Sequence, residues 1–238
     1  MTHATKITAA LVLLALAGAS FADTLGFTSF EEPDAAAKTE SNPLDVNDEG
    51  LNFTPGGGDQ ELGFSTSFID TRGTGETGPV DGTESGDFIG VTGFTGSVGS
   101  FTDGVQGFQW NDPDGAVVLT LDAIDASAFT DLELTFDLFV DDTGYESTDK
   151  FDIEVNDTNV LSLGETDFEG SLADVWTSYA LDLSAFDGSV ITIEFIGDTN
   201  AGSENFYVDN VEVTGVPEPA SIALLGLGGL ALLRRRSA

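Results

Sequence analysis

Apolar residues in this 238-residue protein recur at every second position, not every third or fourth. Leu132, Leu134, Phe136 and Leu138 alternate with Glu133, Thr135 and Asp137, and Leu62, Phe64 and Phe68 share a face of their segment in the same way. A period of two puts successive side chains on opposite sides of an extended strand. Clusters of Gly, Asp and Asn interrupt the pattern and read as turns. Strands are therefore expected near 24–30, 61–68, 86–96, 105–110, 116–124, 132–140, 151–155, 159–163, 175–183, 190–196 and 206–214. Polar residues alternating with apolar ones leave each sheet one wet face, which favours antiparallel pairing and two sheets packed on their dry faces. The expected fold class is all-β, an antiparallel two-sheet β-sandwich. Glu31–Gly58 and Asp70–Gly86 read as long loops.

The two ends break this pattern. Lys6 opens a weakly basic start, Ile7 to Ala19 is apolar, and Ser20 and Ala22 place small side chains three residues and one residue before a cleavage point. Residues 1–22 are thus expected to be a signal helix removed by signal peptidase after Ala22. At the other end, 220–233 is a 14-residue stretch without charge, followed by Arg234, Arg235 and Arg236. As a helix it would span about 21 Å against a hydrocarbon core of about 30 Å. Such a segment can only span the membrane with mismatch. The arginines would hold it at the cytoplasmic side, leaving 23–215 outside as one acidic β-sandwich domain.

Charge and missing residue types narrow the function. Of 42 acidic residues only Glu218 lies outside 23–215, and of the seven Lys and Arg only Lys38, Arg72 and Lys150 lie inside it. So negative a surface repels nucleic acid and anionic membranes. Cysteine is absent, so no disulfide supports the fold, and the one histidine, His3, lies in the signal segment. Cys nucleophiles, Ser-His-Asp triads and His-ligated zinc are excluded from the mature region. Carboxylate pairs for glycoside hydrolysis are too easily met by chance among so many acids to carry weight. A binding or structural protein, not an enzyme, is expected.

Asp45–Gly50 and Asn111–Gly115 each resemble part of a calcium loop, but Gly56 stands where the first needs a Glu, and the second would begin at Trp110. Both read as Asx-type turns. Trp110, before the Asn-Asp-Pro-Asp-Gly turn, and Tyr145, in an acidic loop, are the candidates for stacking on sugar rings. Trp176, on an expected strand, reads as core.

Gly26-Phe-Thr-Ser-Phe-Glu-Glu32, Leu181–Gly188, Ile191–Phe195 and Phe206–Val213 together resemble the first and last strands of secreted jelly-roll domains of the carbohydrate-binding-module type. That resemblance implies a jelly-roll sandwich and a structural calcium ion where the first strand meets the last, with Glu31 or Glu32 and Asp209 as its carboxylates. Val216-Pro217-Glu218-Pro219, the apolar stretch and Arg234–Arg236 resemble, in order and at the C-terminus, the PEP-CTERM sorting signal of Gram-negative bacteria. It implies transient inner-membrane anchoring through the 220–233 helix, recognition by an exosortase-type membrane protease, and delivery to the cell surface or beyond. The function expected on that resemblance is a structural or adhesive component of exopolysaccharide or biofilm matrix. The alternative is a carbohydrate-binding module with a specific ligand site, and after it a carboxylate-based glycoside hydrolase.

Overall fold

The structure is a computed structural model that describes residues 21–32, 51–58, 60–73, 75, 88–141 and 144–218. Residues 1–20 of the expected signal helix, the apolar helix at 220–233, Pro219, Arg234, Arg235 and Arg236 lie outside these residues, as do Asp45–Gly50. No helix among the described residues is long and apolar enough to cross a membrane.

Among the described residues, thirteen strands form two main antiparallel sheets and a small ribbon. The larger sheet runs β10 (Thr177–Asp182), β7 (Phe129–Val140), β13 (Asn205–Pro217), β4 (Gly107–Asn111), β3 (Phe88–Thr92). Strand β1 (Asp23–Thr28) also joins it, lying on the same flank of β13 as β4, end to end with it. The second sheet runs β2 (Phe64–Ile69), β5 (Gly115–Leu121), β12 (Ile193–Thr199), β8 (Lys150–Val155), β9 (Thr158–Gly164). Two-residue strands β6 (Ile124–Asp125) and β11 (Val190–Ile191) pair with each other. A one-turn helix, α1 (Glu165–Phe168), follows β9.

Alternation dictates the core. Phe108 and Trp110 on β4 and Phe206 and Val208 on β13 face Phe151 and Ile153 on β8 and Phe195 on β12, and all are buried. The sheets interlock through edge-to-face ring pairs, Trp110 on Phe151 at 5.7 Å and Phe136 on Phe195 at 5.4 Å. Trp110 needs room, and Gly197 on β12 supplies it: a Cβ there would sit 2.7 Å from the indole. Its Nε1 donates to the Val117 carbonyl at 3.1 Å, so burial leaves no polar atom of the indole unpaired.

The turn after Trp110 does more than reverse the backbone. Asn111–Gly115 carries it from one sheet to the other, with Asp112 and Asp114 in the left-handed region at φ 52° and 51°. Asp tolerates that conformation better than most residues. A second, smaller apolar cluster lies on the outer face of the larger sheet, where Val98 and Phe101 of the β3–β4 loop cover Phe139 and Tyr207.

Trp110→Ala should lower unfolding free energy by about 3–5 kcal/mol, the usual loss for a large buried aromatic. Urea unfolding of the purified domain measures it, and a loss below about 1 kcal/mol would contradict the core placement.

Candidate functional site

Strand β2 ends at Ile69, and Asp70 then accepts backbone N–H bonds from Gly73 at 2.6 Å and Gly75 at 2.9 Å. Gly73 and Gly75, at φ 71° and 90°, adopt the positive φ this turn requires. The turn aims Arg72 back across the sheet. Its Nη2 meets Asp149 at 2.9 Å and Asp198 at 2.8 Å, and its Nη1 donates to the Thr148 hydroxyl at 3.3 Å. With its amide oriented to suit its neighbours, Asn200 accepts from Arg72 Nη1 at 3.1 Å and donates to Glu146 at 3.2 Å. One guanidinium thereby ties together the β2–β3, β7–β8 and β12–β13 connections.

Tyr145 fixes the same corner from within. Its ring stacks on Phe206 at 5.5 Å, its hydroxyl donates to the Asn205 carbonyl, and the Asn205 N–H donates back to it. That brings Glu146 and Asp149 beside Glu204, with one carboxylate oxygen of each within 4.8 Å of the others. This is the group of carboxylates among the described residues close enough together to share a cation. Arg72 already occupies the cationic role at Asp149. Burial pushes the Glu204 carboxyl up to about 7, helped by the charges of Asp149 and Glu146. Burial likewise raises Asp149, against its bonds from the Glu146 N–H and from Arg72.

Beside this corner a cleft of about 780 Å³ crosses the outer face of the second sheet. Strand register sets its floor: Ile69 pairs with Ala116, Ala116 with Asp198, and Asp198 with Lys150, in one row across four strands. Ile196 and Asp152 form the next row. Arg72 and Lys150 both line this cleft, and they are the two bases of the mature region that the structure describes. The cleft offers apolar Ile69, Ala116 and Ile196 beneath, with hydroxyl, carboxylate and ammonium groups at its sides. Such a mixture suits a neutral polyhydroxylated ligand better than a polyanion.

Of the expected site residues, only Tyr145 belongs to this corner, and it supports it from the core. Trp110 and Tyr145 are 0% and 2% exposed, so neither ring is a stacking platform. Trp110 faces inward with Phe108 by strand alternation, and Tyr145 is drawn in by Phe206 and Phe168. Trp176, expected in the core, is instead half-buried on the outer cluster, against Phe101 and Phe139, with its Nε1 donating to Ser100.

Glu31, Glu32 and Asp209 do not form a group of three carboxylates within 4.8 Å of one another. Asp209 accepts the N–H groups of Thr102, Asp103 and Asn210 and the Thr102 hydroxyl, while Glu31 accepts those of Val105 and Gln106. The two acids hold neighbouring stretches, 102–103 and 105–106, of the loop that leads into β4. Glu32 turns away to the N–H groups of Gln60 and Glu61. Burial pushes Asp209 up to about 6 despite its N–H partners.

Glu204 and Asp209 set a pH dependence of definite sign. A carboxyl whose folded pKa exceeds its unfolded value adds stability below the unfolded value and loses it as pH rises through the folded one. Thermal unfolding should therefore occur at higher temperature near pH 5 than at pH 7.5, and Glu204→Gln should flatten that slope. A melting temperature that rises steadily from pH 5 to 7.5 would contradict both placements. Arg72→Met should cost about 3–5 kcal/mol by leaving the carboxylate of buried Asp149 without its cation. Adding Asp149→Asn should recover part of that loss, and no recovery would break the link.

No curated protein sequence matches this one. Among solved structures, a cyclase from Fischerella sp. TAU aligns at 14% identity over 83% of this chain and 100% of its own, with a TM-score of 0.45. The K3 cleaved adhesin domain of Lys-gingipain from Porphyromonas gingivalis aligns at 15% identity over 82% and 99%, with a TM-score of 0.44. The carbohydrate-binding module TmCBM61, solved with β-1,4-galactotriose, aligns at 12% over 63% and 86%, with a TM-score of 0.42. Similarity this distant bears on neither ligand nor activity. The sorting signal is a different matter: residues 215–237 match the PEP-CTERM protein-sorting motif.

Proposed function

We propose that this is an exported protein whose acidic β-sandwich is delivered by its C-terminal signal to the cell surface or the extracellular matrix, where it serves as a structural or adhesive component. The observation that carries this reading is the continuity of β13, the strand at the centre of the larger sheet, with the matched sorting motif. The sandwich is the cargo and the tail its address. An exosortase-type protease removes the tail and frees the domain from the inner membrane of a Gram-negative cell. The domain's role there is binding and assembly, not catalysis. Its acidity keeps it soluble and self-repelling until it meets its matrix partner.

The cleft on the second sheet favours a second reading, in which the domain holds a glycan of the matrix. Apolar Ile69 and Ile196 beneath Lys150, Asp152 and Asp198 provide both a face for a sugar ring and partners for its hydroxyls.

Expression in the native host of a protein ending at Glu218 separates these elements. The truncated protein should leave the surface and exopolysaccharide fractions and accumulate in the periplasm. An unchanged distribution would remove the sorting reading. For the second reading, titration of the purified domain with matrix glycans should show binding that Lys150→Ala weakens several-fold.

A further inference from the structure

The sorting motif begins inside the folded domain, with no linker before it. Val216 pairs with Thr130 and Pro217 with Phe129, both as part of β13. The Glu218 N–H then donates to the Ala128 carbonyl at 2.8 Å. At the first residue of the match, Gly215 lies under side chains from both neighbouring strands: a Cβ there would stand 2.7 Å from Leu132 and 3.2 Å from Leu25. A register shift between Thr214 and Val216 accommodates this close approach. Pro217 falls at the last position of its strand, where the missing N–H costs the ladder least.

The opposite terminus meets the same place. β1 begins at Asp23, the residue after the expected signal cleavage point, and Asp23 pairs with Gly215. Both ends of the mature protein are thus strands lying side by side. Val216 and Pro217 are half-buried in the ladder, while the Glu218 side chain is exposed although its backbone N–H is bonded.

From this arrangement we infer that the sorting machinery receives the motif as the end of a folded strand, reads the exposed Glu218 carboxylate, and cuts the backbone on the C-terminal side of Glu218. The inference rests on the removal of the tail proposed above. In that step a peptide C–N bond beyond Glu218 breaks, its acyl carbon passes to water or to an amine on an acceptor, and the tail leaves as a free amine. A cut earlier in the sequence would require β13 to peel away from β7 and would strip pairs from the central strand of the larger sheet. A cut beyond Glu218 leaves every β13 pairing intact.

The test is the C-terminal residue of the protein purified from its native host, read by intact mass and by sequencing of the C-terminal peptide. A mature protein that starts at Asp23 and ends at or beyond Glu218, without Arg234–Arg236, is the expected result. A terminus at Gly215, Val216 or Pro217 would overturn the inference while leaving tail removal standing. A protein that still carries Arg234–Arg236 in every fraction would overturn tail removal, and the inference with it.

Discussion

Strand β13 is the element on which the rest of the molecule depends. Its 13 residues pair with β7 along one side and with β4 and β1 in succession along the other. Its inward side chains, Phe206, Val208, Val211 and Val213, lie in the main core. Its outward ones reach different partners, Tyr207 the small outer cluster and Asp209 the β3–β4 loop. The bulge at Asn210 makes this possible: with φ at 51° and its side chain donating to Asp137, Asn210 absorbs the register shift between Asp209 and Glu212. Asn is among the few residues that adopt such a φ readily. A protein without a disulfide concentrates its order in such a strand and in the aromatic pairs around it.

The abundance of acids has a structural use beyond solubility. Glu61 accepts the N–H groups of Ser29, Glu31 and Glu32 and the Ser29 hydroxyl, fixing the backbone as it leaves β1. Asp187 does the same for Asp131 and Leu132 at the start of β7, and Asp209 for the β3–β4 loop. Carboxylates aimed at backbone N–H groups make strong, charge-assisted bonds. Loops that would otherwise carry unsatisfied donors are closed in this way. Bases are correspondingly scarce, and Arg72 is placed where one cation can answer two carboxylates and hold three connections together.

How much of this the sequence discloses depends on the range of the interaction. Alternation locates the eleven longer strands, because a half-buried strand writes its period locally. It misses β6, two residues long, and it reads 190–196 as one strand where Thr192 divides β11 from β12. It inverts the two tryptophans. Trp110 lies beside a turn yet points inward with Phe108, whereas Trp176 precedes its strand and settles on a loop that no local pattern announces. The pin at Arg72 joins residues 77 and 126 positions apart, beyond any periodicity. One signal for it is present: a lone arginine in a strongly acidic domain is a natural partner for buried carboxylates. The sorting signal is fully legible, since its parts are contiguous and of fixed order, but its seating in the sheet is not.

Fold and address are therefore one continuous object: the strand that organises the larger sheet is also the strand that presents the motif. The most direct measurement of that claim is amide hydrogen exchange, resolved by NMR, on the protein spanning Asp23 to its C-terminus. The Glu218 amide, bonded to Ala128, should exchange far more slowly than a free peptide and share the protection of the neighbouring β13 amides. Exchange at the free-peptide rate from Val216 onward, with protection confined to residues before Gly215, would contradict the account and make the motif an ordinary tail.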